Sequence, residues 1–148
     1  MKKYRVTHSE MTQAQPEDVW ALWTATGNWP DWDEGLDTVT AAAGFEKGKS
    51  IMLKPKGAPA PLEVKLVDVK PGQSFTDETQ LPFGVIRASH LIEKVAGQTR
   101  LTHTIEAEIA PEHAKSFEKG IWSGMQGGVA QSVRNLTKLA ERRKKQRS

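Results

Sequence analysis

The period of polar and apolar positions changes twice along the chain. Residues 4–12 are polar overall but rich in β-compatible side chains, which predicts an opening strand. Gln15-Pro16-Glu17-Asp18 then supplies proline and two acids where a helix should begin. Val19 and Trp23, four residues apart and flanked by Trp20 or Leu22, predict a short helix over 19–23. Asn28-Trp29-Pro30-Asp31-Trp32-Asp33-Glu34-Gly35 reads as a second, broken turn of helix ended by glycine.

From Leu36 to Ile109 the chain consists of short β-like runs punctuated by Gly44, Gly48, residues 57–61, Pro71-Gly72, Pro82 and Gly97, the pattern of an antiparallel meander. Residues 62–69 alternate, and Lys70-Pro71-Gly72-Gln73 turns them into a strand near 74–81. Residues 100–109 alternate better still: Leu101, His103, Ile105, Ala107 and Ile109 share one face, Thr102, Thr104, Glu106 and Glu108 the other. One face is therefore wet and one covered. After Pro111 the period becomes helical, with Phe117, Ile121, Gly124/Met125, Gly128, Ser132, Leu136 and Leu139 recurring at three- and four-residue steps. The expectation is an α+β fold: a curved antiparallel sheet of six to seven strands wrapped around a long C-terminal helix, with two short helices after the first strand.

With 148 residues and no linker or repeat, the chain is expected to form one domain over 1–148. It has no cysteine, which removes disulfides, thiolate metal sites and a cysteine nucleophile. No apolar run approaches the twenty or so residues of a membrane span, so a soluble, cytoplasmic protein is expected. The net charge of +3 comes from the end of the chain: five cations at 142–145 and 147 against Glu141 leave about −1 for the remainder. A nucleic-acid-binding face would need cations spread over the folded body, so none is expected. The tail at about 141–148 reads as a frayed, solvated helix end whose charges suit the negative end of the helix dipole.

The order of elements and several short motifs resemble the helix-grip superfamily called START/Bet v 1-like (SRPBCC), particularly its polyketide cyclase/dehydrase and lipid-transport branch. The matching pieces are Ala14-Gln15-Pro16-Glu17-Asp18-Val19-Trp20, Asn28-Trp29-Pro30-Asp31-Trp32, Phe45-Glu46-Lys47-Gly48, Val69-Lys70-Pro71-Gly72 and Gly97-Gln98-Thr99-Arg100-Leu101-Thr102. The resemblance spans nearly the whole chain and implies a cavity between sheet and long helix for lipids, polyketides, sterols or other apolar molecules. It implies no catalytic motif, because this scaffold hosts carriers, cyclases and chaperone regulators alike. The expected partner is a small apolar ligand held by a monomer or homodimer, with no cofactor and no metal; a protein-interaction domain related to chaperone regulators, using the tail and outer surface, stands as an alternative.

Residues expected to line such a cavity are Trp32, Met52, Leu66, Phe75, Asp77, Ile86, Ala88, His90, His103, Ile105, Phe117, Ile121, Gly124, Met125 and Gly128. Glycine costs a helix about 1 kcal/mol relative to alanine, yet Gly120, Gly124, Gly127 and Gly128 crowd one stretch of the last helix. Two readings stand: Gly124 and Gly128 leave volume for a ligand, or the glycines permit close packing or mark a helix break. If the last hairpin turns on Ala96-Gly97, residues whose numbers sum to 193 pair, which sets His90 beside His103 on the covered face. Such a pair resists double protonation, so one neutral ring could serve as acid/base in a cyclase/dehydratase-type reaction; equally, both rings could be polar lining satisfied by each other, hydroxyls or water. His8 could join that face as a third imidazole, although no recognised ligand spacing accompanies it. Asp77 shares a face with Phe75 and could orient a ligand, whereas Arg87 should face solvent. Four tryptophans between 20 and 32 suit packing of the short helices on the sheet, with Trp32 and Met52 at the pocket mouth.

Overall fold

The computed structural model describes residues 1–147. The opening segment is strand β1 (Lys2–Thr12), followed by helix α1 (Pro16–Thr24) and a 3₁₀ turn (Thr26–Asp31). Pro16 occupies the first turn of α1, where a missing N–H is harmless, and Val19 and Trp23 are completely buried. Six strands then run without interruption by a helix: β2 (Leu36–Thr40), β3 (Ser50–Pro55), β4 (Leu62–Lys70), β5 (Ser74–Leu81), β6 (Gly84–Val95) and β7 (Gln98–Ile109). All seven strands form one antiparallel sheet in the order β1-β7-β6-β5-β4-β3-β2. Thus β2 to β7 meander and β1 adds beside the last strand.

Irregularities at Leu66/Asp68 and Leu36/Thr38 break the register of β4 and β2, and such bulges bend strands and sharpen the twist that curls the sheet. In the β6–β7 hairpin Ile92 pairs with Leu101, His90 with His103, Ala88 with Ile105 and Ile86 with Ala107, as its turn predicts. Ala96 and Gly97 both take positive φ, 52° and 82°, the geometry of a tight hairpin turn matched to strand twist.

After a 3₁₀ turn (Pro111–His113) the chain enters α2 (Ala114–Phe117), a π-helical turn (Glu118–Trp122) and α3 (Ser123–Arg147). The backbone stays right-handed helical at Glu118 and Ser123, so the long element widens by one turn without breaking. Glu118, the first residue of that turn, accepts hydrogen bonds from Tyr4 Oη at 2.6 Å and Lys2 Nζ at 2.8 Å, which tie it to β1.

The expected stripe of α3 is met in part: Leu136 is buried and Leu139 packs beside the same cluster. The positions that reach the core are Val129, Val133, Leu136 and Ala140, toward the C-terminal end. Of these, Val133, Leu136 and Ala140 join Trp23, Trp29, Trp32, Phe75 and Leu101 in filling one end of the domain. A second cluster, of Ile86, Ala107, Ile109, Phe117 and Trp122, fills the other. The helix is gripped at both ends, and the stretch containing Gly120, Gly124 and Gly128 bridges the gap between clusters.

The end of α3 differs from the frayed tail that its charge run predicts. It is helical through Arg147, whose guanidinium bonds the carboxylate of Asp18 with Nε to Oδ1 at 2.6 Å and Nη2 to Oδ2 at 2.7 Å. Asp18 is fully buried and also accepts the Gln15 backbone N–H at 2.9 Å, while Lys144 Nζ reaches the Gln13 carbonyl at 2.8 Å. Two basic residues that look solvated in sequence, Lys144 and Arg147, thus fasten the helix to α1 and the residues just before it. Among the described residues no helix is long and apolar enough to cross a membrane.

Candidate functional site

Between the curved sheet and the glycine stretch lies a cavity of about 630 Å³. Its walls come from Trp29, Trp32 and Asp33 before β2, from the inner faces of β3 to β7, and from Ile121, Gly124, Met125, Gly128 and Val129 above. A Cβ added at Gly120, Gly124 or Gly128 would meet nothing within 4 Å. These glycines therefore keep side chains out of open space, and close packing is not what they serve.

Eleven of the expected positions face this space: Trp32, Asp77, Ile86, Ala88, His90, His103, Ile105, Ile121, Gly124, Met125 and Gly128. Four do not. Met52 is 40% exposed because β3 points Ile51 and Leu53 inward, so its side chain falls on the outer face and Leu53 takes the wall position. Leu66 and Phe75 lie on the inner face but at the filled end, where Phe75 packs against Trp23 and Trp29 with ring centroids 5.2 and 5.8 Å apart. Phe117 is absorbed in the other cluster, 5.1 Å from the Tyr4 ring. Sequence reasoning missed Trp29, Asp33, Leu53, Thr79 and Leu81, which also line the cavity. The parity that selects Asp77 selects Thr79 and Leu81 as well; nothing local marks Asp33.

The cavity floor is polar. His90 and His103 lie side by side, ring centroids 4.6 Å apart and nearly perpendicular. The His90 ring stacks on Phe75 at 3.9 Å, and its Nδ1 lies 3.3 Å from the Phe75 carbonyl. Only a protonated Nδ1 can donate there, so the neutral ring leaves Nε2 as an acceptor. Burial pushes His90 down to about 3, the Phe75 hydrogen bond opposing only partly. Burial also drives His103 well below the ordinary imidazole range, helped by the nearby His90 and His8. Both rings are therefore neutral at pH 7. The His8 ring does not join them: its Nε2 lies 2.7 Å from the Glu10 carboxylate, which also holds Arg134.

Asp77 behaves in the opposite way. Burial, reinforced by the charge of Asp33, raises its carboxyl to about 7, and among the described residues it has no hydrogen-bond donor. Asp33 is itself raised, chiefly by burial, against one hydrogen bond from the Gly35 N–H at 3.0 Å. Two further buried atoms beside the cavity lack partners: Trp32 Nε1 and His103 Nε2, on rings 5.8 Å apart. Arg87, on the outer face, pairs with Glu78 at 2.7 Å and stays out of the site.

A curled sheet gripping a long helix around a partly polar cavity defines a ligand-binding domain of the helix-grip class. The chain belongs to the polyketide cyclase/dehydrase and lipid transport family, whose model matches residues 3–141, and thereby to the START/Bet v 1-like (SRPBCC) superfamily. Solved structures agree on the fold at low sequence identity. The di-domain ARO/CYC StfQ from the steffimycin biosynthetic pathway superposes with TM-score 0.77 at 12% identity, over 95% of this chain and 51% of that one. A Thermus thermophilus protein gives TM-score 0.71 at 13% identity over 95% and 99%. Norcoclaurine synthase from Thalictrum flavum gives 0.67 at 15% over 93% of each chain. No curated protein sequence matches the chain.

Proposed function

We propose that the chain binds a small, largely hydrophobic molecule of lipid, polyketide or aromatic character between the sheet and α3. The observation that carries this reading is the volume of about 630 Å³ beneath a helical element whose inward positions include Gly120, Gly124 and Gly128. That size suits a single small-molecule guest. Its apolar walls, among them Leu36, Leu53, Ile86, Ile105 and Met125, would contribute roughly 25 cal/mol per Å² of guest surface removed from water. Native mass spectrometry of protein purified from its own cell should detect a co-purifying molecule. Trp29 and Trp32 stand in the wall, so their fluorescence should change as apolar compounds are titrated in. A broad apolar panel that produces neither signal would defeat the reading.

A cyclase/dehydratase-type enzyme is the second reading, favoured by Asp77, whose carboxyl near 7 can both give and take a proton at neutral pH. His90 and His103 suit hydrogen-bond acceptance better than proton transfer, because imidazoles so hard to protonate are weak bases. Turnover of a ketone-bearing substrate that is lost in Asp77→Asn but kept in His90→Ala and His103→Ala, with affinity retained throughout, would support this reading; equal turnover in Asp77→Asn would sink it.

A further inference from the structure

The cavity is acidic where a guest's polar end would sit. Its ionisable lining comprises Asp33, Glu34 and Asp77 against one cation, Lys56, on the segment that follows β3. The strands and helix packed around Asp77 add no positive charge: β6 and β7 present neutral His90 and His103, β4 presents Leu66, and α3 presents Gly124, Met125 and Gly128. Asp77 is 8% exposed, faces the cavity and has no hydrogen-bond donor among the described residues. Trp32 and His103, at 3% and 6% exposure, line the same cavity, and each carries a buried ring nitrogen with no hydrogen-bond partner among the described residues. A buried carboxyl without a partner is a costly thing for a fold to keep, and a cationic guest would remove that cost.

Building on the ligand-binding reading, we infer that the cavity selects an apolar molecule bearing an amine, with the ammonium group seated against the Asp77 carboxylate beneath the Trp29 and Trp32 rings. An ammonium donates to a carboxylate in a charge-assisted hydrogen bond and is attracted to indole faces. A fatty-acid-like carboxylate would instead add a negative charge beside Asp33 and Asp77, with no protonated imidazole to receive it. Binding of the amine drives the Asp77 proton off. The proton therefore competes with the ligand below about pH 7, and affinity rises as pH rises through that value.

The experiment is isothermal titration calorimetry of the full chain with three probes sharing one apolar body: 6-phenylhexylamine, 6-phenylhexan-1-ol and 6-phenylhexanoate. At pH 8.5 the amine should bind about tenfold or more tighter than either other probe, the size expected of one charged hydrogen bond. Its affinity should fall several-fold between pH 8 and 6, while the alcohol's stays level. Asp77→Asn keeps the side-chain shape and should bring the amine down to the alcohol's affinity without pH dependence. Equal binding of amine and alcohol, or tighter binding of the hexanoate, overturns the amine preference and leaves apolar binding standing. Failure of all three probes removes both. An amine preference that survives unchanged in Asp77→Asn overturns the assignment of Asp77 as the anchor.

Discussion

Asp18 and Arg147, 129 positions apart, form a two-bond ion pair in which the carboxylate is fully buried and the guanidinium is 38% exposed. It locks the last turn of α3 against the first turn of α1. Arg147→Ala leaves the buried Asp18 carboxylate without its partner, and Asp18→Asn removes the charge that holds Arg147, so each should lower stability, the first more than the second. The pair also holds the Asp18 carboxyl below its ordinary range. Its contribution is thus fully present above about pH 4 and is lost as pH falls further. Urea unfolding at pH 7 and pH 3 checks both points: unchanged midpoints at pH 7 would mean the tail does not clamp the fold. Deleting 141–148 should likewise destabilise.

Two kinds of glycine should respond oppositely to alanine. At Gly124 and Gly128 a Cβ enters open space, so Gly→Ala should raise stability by about 0.5–1 kcal/mol each through helix propensity. Gly128→Leu should go further, occupying the cavity and weakening apolar ligand binding at least tenfold while the protein stays folded. At Gly84 a Cβ would collide with the Glu108 carbonyl across the β6–β7 ladder, so Gly84→Ala should cost more than about 2 kcal/mol. Thermal melts and one ligand titration distinguish these outcomes, and a destabilised Gly124→Ala would contradict the open geometry.

The cavity polar groups shape the pH profile in opposing senses. Between about pH 4 and 7 folded Asp77 holds a proton that the unfolded chain has lost, so its contribution falls with rising pH by up to about 1.4 kcal/mol per unit and levels above 7. His90 and His103 remain unprotonated in the folded chain where unfolded imidazoles take up protons; their contribution is present above about pH 6.5 and is lost as pH falls. Two imidazoles outweigh one carboxyl, so the protein should lose stability on acidification from pH 6.5 to 4.5. Asp77→Asn should lose it more steeply, and the stability difference should move in favour of Asp77→Asn as pH rises from 4 to 7. Parallel profiles for the two proteins would show that Asp77 titrates normally.

Strand β3 offers a test of face assignment. Leu66, wholly buried on the neighbouring strand β4, should cost about 2–4 kcal/mol as Leu66→Ala. Met52→Ala should stay within about 0.5 kcal/mol and leave binding unchanged, whereas Leu53→Ala should alter affinity for apolar probes more than it alters stability. Paired melts and fluorescence titrations decide it, and a binding defect in Met52→Ala would place the wrong face inward.

Much of the framework was readable because it is local or strictly periodic. Alternation in 100–109 and the turn at Ala96-Gly97 dictate which residues of the final hairpin meet, and His90 beside His103 follows from counting. Proline and acids at 16–18 mark the start of α1. Met52 was expected at the pocket mouth, yet β3 turns Ile51 and Leu53 inward and leaves Met52 on the outer face. Along α3 the spacing located Leu136 and Leu139 but not Val129, Val133 and Ala140, which are also buried.

What the chain determines by itself is therefore the fold class, the pairing of the last strands and the inward direction of Asp77, all consequences of backbone period and turn chemistry. Which inward residues meet a guest and which meet each other was decided only in three dimensions. The sheet's curl and the two places where the final helix touches it leave a gap between the packed ends, so Leu66, Phe75 and Phe117 fall into filled core and Asp33 arrives from a distant turn. The fate of the basic tail was likewise a tertiary matter, because the buried carboxylate that receives Arg147 lies at the other end of the chain.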